Sequence, residues 1–470
     1  MAEASQRALP PPGILGSLGT LGTSGTPIDA GGIFLVLITI GVFLLPIFAL
    51  FPPLPPSPSD AAAQTHAKLG LPRSKSKLKN LNPTVKESTD GRGKIQSIWI
   101  YPIKSCRGIE VSKARVLPQG LQFDRLFTFA QLKSTFPASS TQSTQGIDEK
   151  EDEHAWHFIT QRQFPRLATV AVDLWVPDEG KKASSLDWTD RKDLSDVFLI
   201  MRFPWREAGF MGSLAWLAAK LRGGLSAQPE KEILIPVAVP SQEEMSSRGY
   251  SYDQVTIWKD TIEAIDMSAE LPRELQLYLG VSNKLGLFRV DPNRLREVMR
   301  CAPRKDVAGY QPVTGFQDAY PLHMINLTSV KDFESKVGLD KDLPELDVRR
   351  FRANVIVDGV DAYDEETWKA VAFKSSSSDL KADFDVSCRT VRCKMPNVDQ
   401  DTGYRHPIEP DRSLRLYREV DEGAKHMGCL GMQLTPLFER ANESLDLESW
   451  VEVGMEVEVS KRGEHLYIKQ

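Results

Sequence analysis

The sequence has few cysteines, little net charge and hardly any long apolar run. Five cysteines in 470 residues (Cys106, Cys301, Cys388, Cys393 and Cys429) are too few, too uneven and odd in number for the framework that staples small secreted domains. A reducing compartment is expected. The formal net charge of −5 gives no broad basic field, which argues against nucleic-acid binding. No G-x-G-x-x-G fingerprint, haem-ligand motif or C-x2-C pair occurs, so nothing in the chain marks a bound dinucleotide, a haem or a zinc knuckle. Cys388 and Cys393 open the plant-type iron-sulfur spacing, but Pro396 stands where its third cysteine belongs.

What is present is ordinary for a folded protein. Apolar residues make up 41% and charged residues 26% of the chain, and the length suits about two to three domains. One apolar run stands out. No charge occurs between Asp29 and Asp60, and Ile33–Phe51 within that gap is almost wholly apolar. At ~1.5 Å per residue it spans the ~30 Å hydrocarbon core of a bilayer, without the basic leader and small-residue cleavage site of a signal peptide. A single transmembrane helix is expected over 31–52, after a flexible Gly/Ser/Thr-rich tail over 1–30. Lys68, Arg73, Lys75, Lys77 and Lys79 outnumber the upstream Arg7, which places the C-terminal bulk in the cytosol.

Residues 53–93 are rich in Pro, Ser and Lys and read as a tether. Short β-branched and alternating runs follow, among them "KIQSIWI", "RLFTFAQL", "TVAVDLWV" and "EILIPVAV", with helix-like "GFMGSLAWLAAKLRG" between them. A polar stretch near 134–155 reads as a solvated insertion. The pattern predicts a β-rich α+β protein, with one domain over 94–285, a second over 286–460 and a tail over 461–470.

The chemistry concentrates in "VSCRTVRCKMPNVDQDTGY", Val386–Tyr404. Three readings of its cysteines compete. Both are core thiols; or they join His406, His426 and Cys429 around zinc, with scattered spacing; or one thiolate binds a softer metal centre while neighbouring arginines hold an anionic cofactor.

The stretch "RCKMPNVDQDTG" (Arg392–Gly403), with "EPDRSLRLYR" and "GCLGMQL" after it, resembles the C-terminal signature of the MOSC family of molybdenum-cofactor proteins. Far upstream, "IYPIKSCRGIEV" and "GLQFDRLFTF" (Ile100–Phe129) resemble the start of the β-barrel domain that precedes MOSC. The chain is similar in particular to the membrane-anchored amidoxime-reducing component group. That resemblance implies an N-terminal β-barrel domain followed by a MOSC β-barrel. It also implies that Cys393 ligates molybdenum, with Arg392 beside it favouring the thiolate. Lys104, Ser105, Arg125, Tyr320, Arg352, Asn354 and Arg392 then contact the molybdenum cofactor. Asn397 and Asp399, in the turn after the ligand, are catalytic candidates with Cys393, although they, like Thr402, equally suit shaping the turn.

Three departures from the group's pattern bear on the site: Ala353 replaces a proline, Asp318-Ala319-Tyr320-Pro321 stands for Asp-Thr-Ser-Pro, and the spacing from Cys388 to Cys393 is longer, which implies a different loop before the ligand. The implied reaction is reduction of small N-hydroxylated substrates of the amidoxime type by oxygen-atom transfer. Its electrons would come from cytochrome b5 and NADH-cytochrome b5 reductase, since the sequence shows no redox module of its own. The implied location is the mitochondrial outer membrane rather than the endoplasmic reticulum. The alternative is a non-catalytic carrier of molybdenum cofactor or sulfur.

Overall fold

The computed structural model describes residues 30–50, 54–78, 93–134, 154–178, 180, 194, 196–441, 444–445 and 447–468. Nearly all of the expected N-terminal tail and of the polar insertion lie outside the described residues. The chain forms two compact units.

The first unit joins the N-terminal helix Ala30–Leu50 to residues 208–227, which carry the helix Gly209–Gly223. Within the first helix, Ala30–Phe48 has a mean hydropathy of 2.6 and no buried part, and is long and apolar enough to cross a membrane. Pro46 sits inside it, a residue that apolar spanning helices tolerate. Arg222 Nη2 donates to the Leu50 carbonyl at 3.1 Å, so the two helices meet at the end of the first.

The second unit is β-rich and contains two closed barrels. The smaller has five strands: Ser251–Ile257, Asp260–Asp266, Leu285–Val290, Phe127–Lys133 and Ala155–Phe158. Its alternation is plain in the first hairpin, where Val255 and Ile262 are paired and buried while Gln254 and Glu263 face solvent. Trp156, Phe288 and Phe316 fill the interior.

The larger barrel runs, in order, through Val355–Asp358, Leu322–Asn326, Cys429–Leu437, Lys381–Val391, Trp368–Lys374, Glu456–Arg462 and Lys94–Ile100, whose pairing with Val355–Asp358 closes it. Leu322–Asn326 and Val355–Asp358 are parallel, joined by a crossover through the helix Leu327–Glu334. Leu322–Asn326 is buried along its whole length, as a strand covered on both faces must be. Asn326 then caps the crossover helix, its side chain accepting from Thr328 N at 3.0 Å. A four-stranded antiparallel sheet adjoins the barrels, ordered His66–Lys68, Ala171–Pro177, Phe198–Pro204, Glu230–Pro236.

Three features depart from a linear reading of the chain. Part of the expected tether is folded: His66–Lys68 pairs with Ala171–Pro177, and Ser59 Oγ donates to Glu232 at 2.7 Å. Lys94–Ile100, at the start of the first expected domain, closes the barrel of the second. The stretch expected as a C-terminal tail also packs, with His465 Nε2 2.7 Å from the Trp368 carbonyl. Each rests on contacts between residues about a hundred or more positions apart, which local composition does not encode.

Candidate active site

Three backbone positions in the left-handed region shape the site. Ser105 (φ 68°), Arg125 (φ 48°) and Arg352 (φ 53°) all adopt a conformation that is uncommon for residues with a side chain. Each ends a tight connection: Ser105 the turn after Lys94–Ile100, Arg125 the turn before Phe127–Lys133, and Arg352 the short helix Val348–Phe351. The bends turn Lys104, Ser105, Arg125 and Arg352 into one cleft of about 810 Å³, which Tyr320, Asn354, Arg392 and Cys393 also line.

Arg125 and Arg352 flank the ring of Tyr101, 4.5 and 4.2 Å from its centroid. Arg125 Nη1 donates to both carboxylate oxygens of the buried Asp124, and its Nη2 donates to the Arg352 carbonyl at 3.0 Å. Burial pushes the Arg352 guanidinium down to about 10, and the Tyr101 ring pair compensates part of the cost of holding it there.

Lys104 is buried, with Nζ 2.7 Å from the Phe316 carbonyl and 2.6 Å from Asp318 Oδ1. Burial lowers its pKa, which Asp318 partly offsets. Asp318, its side chain 49% exposed, also accepts from Trp258 Nε1 at 3.1 Å. Although the cleft walls partly desolvate the carboxyl, the Lys104 cation and the Trp258 donor hold it down at about 2. Trp258 projects from the two-residue turn between Ile257 and Asp260, at φ 58° where such hairpins normally place glycine. The Arg162 guanidinium lies over its ring, 4.9 Å from the centroid.

Cys393 lies just past the strand Lys381–Val391, half-buried. Burial raises its thiol, and a backbone hydrogen bond from Met395 with the Arg162 and Arg392 cations only partly counters this. Arg392 spends its donors on protein: Nε on the Leu430 carbonyl at 2.8 Å, Nη1 on the Phe351 carbonyl at 3.2 Å and Nη2 on His323 Nε2 at 2.6 Å. Its main contribution is therefore to hold the wall behind Cys393. His323 must accept through Nε2, so its proton is on Nδ1; burial and Arg392 depress its pKa well below the usual range and keep it neutral. Gly431 (φ 83°) permits that contact, because a Cβ there would meet His323 Nε2 and Met324 O at 2.6 Å.

Other expected residues sit differently. Asn397 and Asp399 do not line the cleft. Asn397 bonds the His406 carbonyl and the Asp411 amide at 3.0 and 3.1 Å, closing its own loop. Asp399 accepts from Thr402 and, at 2.8 Å, from Arg350 Nη2, and Arg350 also reaches the Asn397 carbonyl at 3.2 Å. Both fix the path of the loop after Cys393, since the turn directs their side chains inward to the backbone. Asn354 spends its amide on the Trp99 carbonyl and the His323 amide, and the Tyr320 hydroxyl accepts from Cys301 N at 3.3 Å. Cys388 is buried against Val298 and Tyr320, and its contact with Cys301, together with burial, holds its thiol well above the usual range. Among the described residues, no three or more His, Cys, Asp or Glu side chains converge to hold a metal.

The lining is chemically lopsided. Cations surround it, and the carboxylates among its residues are those of Asp318 and Glu422. Among the described residues, three of the lining residues carry a buried side-chain atom without a hydrogen-bond partner: Arg350 Nε, Arg352 Nη2 and Thr390 Oγ1. Unmet donors beside a half-buried thiol fit an anionic group with a soft-ligand requirement. Trp258, Arg162, His323 and Thr390 were not foreseen from sequence; the signal available was a tryptophan in a two-residue hairpin turn and a lone histidine in an apolar strand.

Comparison with known proteins places these features. The profile of the MOSC N-terminal beta barrel domain matches residues 92–198, and that of the MOSC domain matches residues 311–458. Mitochondrial amidoxime reducing component 2 of Rattus norvegicus is 24% identical over 348 residues, covering 74% of this chain and 77% of that protein. Mitochondrial amidoxime-reducing component 1 of Homo sapiens is 22% identical over 335 residues, covering 71% and 75%. Molybdenum cofactor sulfurase of Anopheles gambiae is 25% identical over 339 residues, 69% of this chain but 32% of that protein. With both domains matched in order on a two-barrel fold, the chain belongs to the MOSC family.

Proposed function

We propose that this protein is a molybdenum-cofactor oxidoreductase, anchored by its N-terminal helix, that reduces N-hydroxylated compounds of the amidoxime type. The observation that carries the reading is the convergence of Cys393 with Lys104, Ser105, Arg125 and Arg352, from three distant parts of the chain, in one cation-rich cleft with unmet buried donors. Cys393 would supply the protein's sulfur ligand. Arg352, with its free Nη2, Lys104 and Ser105 would hold the anionic pterin and phosphate. When bound, the cofactor supplies two-electron oxygen-atom transfer.

The chain's own residues set the conditions for that chemistry. The Tyr101 stack holds both guanidinium planes rigid, and the Arg350 clamp on the loop after Cys393 limits the sulfur's freedom. Trp258 and Arg162 form the mouth, where an aromatic face and a flat cation suit a planar amidoxime. Asp318 stays ionised between Lys104 and Trp258, a fixed acceptor for a substrate N–H. By resemblance, cytochrome b5 and NADH-cytochrome b5 reductase provide the electrons, and the anchor would bring the protein to them at high effective concentration. The mitochondrial outer membrane is the proposed location, with the barrels in the cytosol.

The part-length similarity to a molybdenum cofactor sulfurase favours a second reading, a carrier of cofactor or sulfur. NADH-driven reduction of benzamidoxime by the full chain with cytochrome b5 and its reductase separates the two. Turnover supports the enzyme. Bound molybdenum without turnover supports the carrier.

A further inference from the structure

The helix Gly209–Gly223 has no part in the site, and the fold does not need it as a connector. Phe198–Pro204 and Glu230–Pro236 are antiparallel neighbours in register, with Pro204 opposite Glu230, so a short turn would join them. The chain instead makes a long excursion over 205–229. From Ala208 to Pro229 it carries two basic residues, Lys220 and Arg222, and no acidic one.

Phe210, Leu214, Leu217 and Leu221 recur at helical spacing along one face. Most of that face is open: Phe210 is 76%, Leu217 40% and Leu221 38% exposed, with Leu214 half-buried, and Leu225, just beyond the helix, is 92% exposed. Soluble surfaces seldom leave such a row uncovered. The same helix belongs to one compact unit with Ala30–Leu50, and Arg222 donates to the carbonyl of Leu50, the last residue of that apolar helix. The open face is thus continuous with the end of a helix long enough to cross a bilayer, at the level where the chain leaves it. Trp216, with Lys220 Nζ 5.7 Å from its ring centroid, adds an aromatic and a cation of the kind that settle at the lipid headgroups.

We infer that Gly209–Gly223 is an interfacial membrane helix, with Phe210, Leu217, Leu221 and Leu225 in the acyl boundary of a phospholipid bilayer and Lys220 and Arg222 at its phosphates. This rests on reading Ala30–Phe48 as the membrane span. It gives the protein a second membrane attachment beside the spanning helix.

The test uses the full chain in vesicles of phosphatidylcholine and phosphatidylserine, labelled with the fluorophore NBD at Phe210→Cys or, separately, at Val42→Cys in the middle of the apolar helix. The unsubstituted chain, labelled alike, supplies the background from the partly exposed Cys301 and Cys393. The inference expects blue-shifted emission at 210, lost when the vesicles carry nitroxide-labelled lipid and insensitive to aqueous iodide. Lipid quenching at 42 but iodide quenching at 210 overturns it while leaving the membrane span intact. Iodide quenching at both positions overturns the span as well. Protection at 210 from both quenchers, relieved by diluting the protein into more lipid, would mean that a second copy covers the face, and also overturns it.

Discussion

Arg352 shows how much the site asks of single residues. It combines a left-handed backbone, a stacked guanidinium and a buried donor without a partner. Arg352→Lys keeps the charge but loses the planar fork and the stack on Tyr101, so molybdenum per chain should fall severalfold while stability drops by only about 1 kcal/mol. Metal analysis beside urea unfolding checks both. Trp258 invites the opposite experiment. Glycine is the natural residue at its turn position, so Trp258→Gly should raise stability by up to ~1 kcal/mol, read from the urea midpoint. The same change should lower kcat/KM for benzamidoxime, because Asp318 loses its indole donor and the mouth loses a wall. At this scale the sequence was informative where a motif names a residue and silent where direction matters. Lys104, Ser105, Arg125 and Cys393 stand out as motif members, and they share a cleft. Asn397 and Asp399 stand as close to Cys393 in sequence, yet the turn points them at the backbone, a matter of φ and ψ that spacing does not carry.

Among the elements, the crossover helix Leu327–Glu334 is held by a buried carboxyl. Glu365 is fully buried and accepts from Asn326 Nδ2 at 2.9 Å and Ser329 Oγ at 2.7 Å, and burial pushes its pKa from 4.5 up to about 7. A carboxyl raised in the fold binds more protons folded than unfolded, so its contribution is full below about pH 4.5 and is lost as pH rises through about 7. The difference in unfolding free energy between the wild type and Glu365→Gln should therefore fall with pH across that window, by on the order of 3 kcal/mol, and be flat outside it. Urea unfolding at a series of pH values measures it; a difference independent of pH would show that Glu365 is ionised in the fold. The same element explains a limit of sequence reading. The local run "LHMINLTSVKDFESKV" carries the pattern of a strand followed by a helix, whereas the parallel partner Val355–Asp358 and the bond from Asn326 to Glu365 depend on the crossover.

For the molecule as a whole, the two barrels are not separable along the chain. Lys94–Ile100 closes the larger barrel, and Ser449–Glu452 pairs back onto Lys113–Leu117. A fragment covering 286–460 alone would leave two barrel edges unpaired and is expected to be insoluble or unfolded by circular dichroism, whereas the full chain folds. The β-rich two-barrel class was legible from short alternating strands and the MOSC motifs. The interleaving was not, because pairing across hundreds of residues leaves no local trace. That interleaving brings the Lys104 turn, the Arg352 turn and the Cys393 loop to one cleft, so the site depends on both barrels being closed. The central claim, that this cleft holds molybdenum through Cys393, is tested most directly by measuring molybdenum per chain in the purified full-length protein and in its Cys393→Ser variant. The account predicts stoichiometric metal in the first and its loss in the second, with the far-UV circular dichroism of the variant unchanged and its urea midpoint lowered by loss of the bound cofactor. Absence of molybdenum from the parent protein, or full retention in Cys393→Ser, would contradict it.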